Sequence, residues 1–495
     1  MSDRIPVEMF FLRDSDAVTL QARLAAAIVR AILETRARPG TRLPSSRGLA
    51  ETLGISRMTV TLVYQELISQ GYLETRPRSG VMVAATVPHR RLKVQEPLPH
   101  ETALDWDSWL AGELPRQRVI RKPANWRDFR YPFIYGQSDP ALFDHNAWRD
   151  CARRAWGTRD FGELASDLYG ADDPMLIDYI CSHSLPRRGI QAEPDEVLVT
   201  LGAQNALFIT VELLARGDRL AVTEDPGYPD FAETLRRAHS PTTFLDVDEG
   251  GLNPELLPQG TRLVIVTPSH NIPTGATMPL ARRRDLLARA AAHDFLIVED
   301  DYDFEMSYLA PPAPALKSLD RSGRVIYVGS FSKSLFPGLR IGYMVAPAPF
   351  IARARALRAI MLRHPPNHLQ RITAYFLALG HYDAHIVRLR GALKRRRALM
   401  EQALAATGLR IAGAARSGGS SLWVEGPAGI DSTVLAARLQ EDSVLIEPGE
   451  VFFETPPQPC AFFRLGYSSI REDDIAPGIA LIARRTRELA AEQAG

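Results

Sequence analysis

The sequence predicts an α/β protein in two parts, and three observations carry that prediction. Between residues 197 and 329 the apolar runs Val197–Val199, Leu220–Val222, Leu263–Val266, Phe295–Val298 and Val325–Val328 each lead into a turn of polar residues, the pattern of buried strands in a mostly parallel sheet. The first 86 residues follow a different rule, three short amphipathic helix patterns and then a hairpin. At 495 residues the chain is too long for one ordinary core.

Composition narrows the class. Apolar residues make up 45% and charged residues 24%, as in a soluble globular protein, and a formal net charge of +1 means that any nucleic-acid binding has to come from a local patch. Cys151, Cys181 and Cys460 are few, far apart and odd in number, without metal-ligand spacing, so no metal is expected and a reduced, cytoplasmic compartment is. The N-terminus lacks a signal pattern, and no apolar run approaches the roughly 20 residues that span a bilayer, so no membrane partner is expected.

Residues 1–86 are read in order. From Thr19 to Leu33, Leu20, Leu24, Ile28 and Ile32 repeat along one helix face. Ser45 caps a second helix that stops at Gly54, and Ser56 caps a third, where Val60, Val63, Tyr64 and Leu67 form an apolar stripe. Tyr72–Glu74 and Val81–Val83 read as two short strands around Arg76, Pro77 and Arg78, a basic wing. With Pro39-Gly40, Leu43-Pro44-Ser45-Ser46-Arg47, Leu53-Gly54-Ile55-Ser56-Arg57 and Gly71-Tyr72-Leu73, this stretch resembles a GntR-type winged helix-turn-helix. The resemblance implies contacts to double-stranded operator DNA from Arg47, Arg57, Thr59 and Thr61, and from Arg76 and Arg78 of the wing; Met58 stands where that family commonly has a polar residue. Eleven arginines, no lysine and eight acidic residues leave the segment only three positive charges, so a dimer with two heads is the expected binding unit.

From 87 to 130 the apolar periodicity lapses and prolines recur, which predicts a semi-extended linker with a helix at 103–110. Trp106, Trp109 and Trp126 are expected to tack it onto the large domain.

Residues 131–495 carry the chemistry. After Val197–Thr200, Gly202-Ala203-Gln204 opens a helix predicted near Ala206, whose free N–H groups suit a phosphate. Tyr228, in the turn after Leu220–Val222, can stack on an aromatic ring. Asp300 and Tyr302 follow the run Phe295–Val298, and a pyridinium nitrogen needs such a buried carboxylate while a ring hydroxyl oxygen needs a donor. Lys333 follows Val325–Gly329 in a hydroxyl-rich turn where desolvation makes an amine nucleophilic, and Ser330 and Arg340 beside it can hold a phosphate. Together these demands describe pyridoxal 5'-phosphate, PLP. Arg464 interrupts the apolar run Ala461–Tyr467, so it requires an anionic partner, a structural carboxylate or a ligand.

With those residues the stretch 131–495 resembles a fold-type I PLP-dependent aminotransferase, which implies a large domain with a mostly parallel sheet and a smaller C-terminal α/β domain. The resemblance implies that Lys333 binds PLP as an aldimine, Asp300 faces the ring nitrogen, Tyr302 the ring oxygen, Tyr228 the ring face, and Gly202, Ala203, Gln204, Ser330 and Arg340 the phosphate. It further implies that Arg464 grips an effector's acid group, and that Tyr169 reaches the cofactor phosphate of a second subunit in a homodimer. The family usually carries Asn directly before Pro-Thr-Gly; here Ile272 stands there and Asn271 serves from the adjacent position. A GntR-type head on such a body resembles the MocR-type transcriptional regulators, and Tyr131–Gln137 and Ser184–Ile190 are similar to blocks of their taurine-responsive TauR-type members. The expected function is a DNA-binding regulator that senses a small amine or amino acid, taurine- or GABA-like, through an external aldimine, with at most weak transaminase activity. The alternative is an active aminotransferase that carries a DNA-binding head.

Overall fold

Thr19 accepts a hydrogen bond from the Ala22 N–H and opens the first helix, α1 (Leu20–Leu33). In this computed structural model the residues described are 19–494, apart from 35, 78, 88–103, 111–119, 121, 138, 168 and 414–415. Two compact units divide the chain, residues 1–113 and 114–495.

In the first unit Leu24, Ile28, Ala31 and Ile32 of α1 are buried, whereas Leu20, the first of the predicted row, stays exposed in the opening turn. Ser45 and Ser56 cap α2 (Ser46–Leu53) and α3 (Arg57–Ser69), accepting from Gly48 N–H and Thr59 N–H, each at 3.1 Å. The predicted stripe of α3 is the buried one, and Tyr64 donates to the Pro44 carbonyl at 2.9 Å. β1 (Leu73–Arg76) and β2 (Gly80–Val83) pair antiparallel and close the core with Leu73 and Val83. Arg78, between them in the sequence, lies outside the described residues. Trp106 and Trp109 sit on a single helical turn and are 65% and 72% exposed. Trp126 is buried with Ile134 and Leu445 and fastens its stretch within the second unit.

In the second unit the strands are, in order, β3 (Tyr131–Pro132), β4 (Val197–Thr200), β5 (Leu220–Asp225), β6 (Thr242–Asp248), β7 (Gly251–Leu252), β8 (Thr261–Val266), β9 (Leu296–Asp301), β10 (Val325–Ser330), β11 (Gly342–Val345), β12 (Arg410–Ile411), β13 (Ser421–Glu425), β14 (Val444–Leu445), β15 (Glu447–Pro448) and β16 (Phe462–Gly466). Eight form one sheet in the order β4-β11-β10-β9-β8-β5-β6-β7. β10, β9, β8, β5 and β6 run parallel, and β11 lies antiparallel between β10 and β4. Helices cover this sheet, so its strands read as continuous apolar runs. A smaller lobe holds the antiparallel sheet β12-β13-β16-β15 under the helices His381–Ala405, Ser432–Glu441 and Glu472–Ala494. β3 pairs parallel with β14, which seats the start of the body on this lobe. Among the described residues no helix is long and apolar enough to cross a membrane.

Candidate functional site

The ends of β9 and β10 place the predicted chemistry side by side, because these strands are parallel neighbours, with Val328 opposite Asp300. Asp300 is buried, and its Oδ1 makes no hydrogen bond. Burial, with Asp301 and Asp303 close by, pushes its carboxyl well above the usual range. Asp301 is occupied differently: its Oδ2 accepts from Arg188 Nε at 2.6 Å and from the Tyr327 hydroxyl at 2.9 Å. Tyr302 is buried and donates to the His270 carbonyl at 3.1 Å.

Lys333, in the turn after β10, ends 4.3 Å from the ring centroid of Tyr135. Desolvation, reinforced by the Arg464 guanidinium, lowers its amine to about 8. Gly136 has φ +72°, and a Cβ there would collide with Lys333 Nζ, so only glycine lets the backbone pass.

At the other side of the turn Gly202 and Arg340 come together. Helix Ala203–Leu214 begins three residues earlier than predicted, at Gly202, whose φ of +77° turns the chain into the helix. Arg340 donates to the Leu201 carbonyl at 3.0 Å, and a Cβ on Gly202 would press on its guanidinium. Ser330 Oγ accepts from Ser332 N–H at 3.2 Å, and Ser332 Oγ and Gln204 Oε1 are buried without a hydrogen bond. A helix N-terminus, hydroxyls and a guanidinium suit a phosphate.

Tyr228 packs in the turn after β5 and donates to Asp230 at 2.7 Å. Asn271 accepts from the Thr274 hydroxyl at 2.7 Å, while its amide nitrogen is buried without a hydrogen bond. Ile272 is buried in an apolar cluster with Tyr302, Trp423 and Phe452. Arg464 is buried on β16, and its Nε donates to Glu447 of β15 at 2.7 Å; the cross-strand register puts the two opposite. The required anion is thus a structural carboxylate. The same guanidinium lies 4.3 Å from the Tyr135 ring, on which Lys333 also rests. Tyr169 is exposed and hydrogen-bonded to Arg363.

Sequence reasoning missed Tyr135, Gly136, Glu447 and a buried chain of polar side chains. His270 Nδ1 bonds Asp303 Oδ1 at 2.8 Å, and its Nε2 bonds Ser417 Oγ of the smaller lobe at 2.9 Å. Burial works against a charged ring there, but the Asp303 carboxylate outweighs it and holds His270 above its usual pKa. The glycine of Tyr135-Gly136 was the one local signal available, and the partners of Arg464 and His270 had none.

On the head, Arg47 and Arg57 are exposed, and their guanidinium groups make no hydrogen bond or ion pair among the described residues. The Thr59 and Thr61 hydroxyls are engaged within α3, with Ser56 Oγ at 2.8 Å and the Arg57 carbonyl at 2.9 Å. Arg76 is paired with Glu74 on the same strand, Nε to Oε1 at 2.9 Å.

Residues 20–83 match the gntR family of bacterial regulatory proteins, and residues 169–480 match aminotransferase class I and II. The chain is 51% identical to the HTH-type transcriptional regulator TauR of Rhodobacter capsulatus, over 98% of this chain and all of that one. It is 33% identical to the probable rhizopine catabolism regulatory protein MocR of Rhizobium meliloti, over 98% and 96% of the two. Among solved structures, the alpha-aminoadipate aminotransferase LysN of Thermus thermophilus, complexed with N-(5'-phosphopyridoxyl)-L-leucine, superposes with a TM-score of 0.68 at 26% identity, over 79% of this chain and all of that one.

Proposed function

The chain belongs to the MocR-type transcriptional regulators of the gntR family, and from that premise we propose that its body holds PLP on Lys333 and responds to a small amine bearing an acidic group. The observation that carries this is the shared ring of Tyr135. Lys333 Nζ and the Arg464 guanidinium each lie 4.3 Å from its centroid, hence no more than twice that distance from each other. An amine-exchanging centre and an anion grip so spaced fit a short amino acid, and ω-amino acids of the taurine or GABA kind are the leading class.

The residues present fit the cofactor. The unpaired oxygen of Asp300 suits a pyridinium N–H, and the raised affinity of that carboxyl for a proton is what burial beside the Asp301 and Asp303 carboxylates produces against the smaller opposing pull of Lys333. Gly202, Ala203 and Gln204 with Ser330 and Arg340 suit the phosphate, and Tyr228 suits the ring face. The unpaired Asn271 amide suits the ring oxygen, and the Tyr302 hydroxyl can join it by giving up its bond to the His270 carbonyl. When bound, PLP supplies an electrophilic carbon that accepts amines.

The chain's own groups then act in sequence. With its free amine lowered to about 8, Lys333 is roughly one-tenth neutral at pH 7, enough to attach PLP. Arg464, its Nε committed to Glu447, keeps its terminal nitrogens for the effector's acid. Ile272 offers the cofactor ring no donor, which favours holding an amine over turning it over. Tyr135 and Gly136 continue the stretch that Trp126 fastens to the smaller lobe, so occupancy of the pocket acts on the segment leading from the linker. Tyr169 is assigned to the cofactor phosphate of a second copy, and two heads supply the DNA-binding unit.

Borohydride reduction and peptide mapping of the PLP-loaded protein test the assignment, with the pyridoxyl group expected on Lys333. Absorbance titration with a panel of amines, repeated while operator affinity is followed, identifies the effector. Turnover of roughly 1–10³ per second, with no amine altering DNA binding, overturns the sensor reading in favour of an enzyme.

A further inference from the structure

Helix α3 has two faces. Val60, Val63, Tyr64 and Leu67 turn into the core. Met58, Thr61, Leu62 and Gln65, spaced i, i+3, i+4 and i+7, make another stripe, and its most exposed apolar members are Met58 at 67% and Leu62 at 43%. Leaving a methionine two-thirds in water at the start of a helix forgoes burial that an apolar partner would reward. Arg57, the neighbour of Met58, and Arg47 on α2 are exposed cations without a protein partner among the described residues, as phosphate contacts require. The hydroxyls of Thr59 and Thr61 are spent inside the helix.

The major groove offers one apolar group, the 5-methyl of thymine. We infer that Met58 reads sequence by packing its thioether chain on a thymine methyl, one in each half-site. This rests on DNA binding by the head. Methionine suits the task because its unbranched, polarizable chain adapts to an apolar surface of uncertain angle.

The test uses the full-length protein and an operator selected by it from a random duplex library. Thymines are replaced one at a time by deoxyuracil, which removes only the methyl. One position per half-site is expected to weaken binding about three- to fivefold, the worth of one buried methyl. Met58→Ala should lose the same factor on the thymine operator and become indifferent to deoxyuracil there, with an unchanged salt dependence. The inference is overturned if every deoxyuracil operator binds as well as its parent, or if Met58→Ala stays as sensitive as the parent. It is equally overturned if Met58→Ala alters oligomeric state by light scattering while deoxyuracil sensitivity persists, since the stripe is then a protein contact. A protein that selects no duplex overturns this and also the DNA binding on which it rests.

Discussion

Replacing Lys333 by methionine in the cofactor-free protein removes a desolvated ammonium and keeps the length of its stem. Desolvation and the nearby Arg464 lower the amine from 10.5 to about 8, so the unfolded chain holds this proton more tightly than the fold does. Below pH 8 both states are protonated and the full cost is present, about 3 kcal/mol at about 1.4 kcal/mol for each pKa unit. Attraction to the Tyr135 ring, 4.3 Å from Nζ, offsets about 1–2 kcal/mol of it. Lys333→Met is therefore expected to be about 1–2 kcal/mol more stable than the parent at pH 7. Between pH 8 and 10.5 the unfolded state binds more protons than the folded one, so the parent gains stability as pH rises, and by pH 9.5 about 2 kcal/mol of the original cost is gone. Urea unfolding of both proteins at pH 7 and pH 9.5, followed by tryptophan fluorescence, reads the difference. A variant less stable than the parent at pH 7, or a gap that does not close as pH rises, refutes the desolvated lysine.

Asp300→Asn removes the charge that a pyridinium would meet, and PLP affinity measured by absorbance titration should fall by two orders of magnitude or more, about 3 kcal/mol or above. The same variant should be at least as stable as the parent without cofactor, because Asp300 is buried without a hydrogen bond on Oδ1. Gly136→Ala places a methyl against Lys333 Nζ at φ +72°, and should slow cofactor attachment to Lys333, seen as a lower yield after borohydride reduction. Glu447→Ala leaves the Arg464 guanidinium buried without its carboxylate and should cost about 3–5 kcal/mol in urea unfolding. Arg57→Ala should weaken operator binding by about 1–3 kcal/mol and relax preference at one base pair if it reaches a base edge; a uniform loss across sequences with a flatter salt dependence would assign it to phosphate.

The sequence by itself determined the elements and the residues at their ends. Strand and helix periods are local, as are serine caps, and a parallel strand delivers its last residues to one edge of the sheet whatever its neighbours are. That is why Asp300, Lys333, Gly202 and Arg464 could be singled out from runs of four to seven residues. The tertiary structure decided what each of them faces. Arg464 meets Glu447 only because β15 and β16 pair in one register, 17 residues apart. Tyr135 comes under both Lys333 and Arg464 because β3 pairs with β14 and carries the next residues into the pocket. His270 and Ser417, 147 residues apart, bond only where the smaller lobe packs on the larger. Trp126 is fastened because the fold brings Ile134 and Leu445 against it, a contact its local sequence does not specify. Local backbone and side-chain preferences act over one turn or one strand, whereas burial and partner choice depend on which distant surfaces the sheet order brings together.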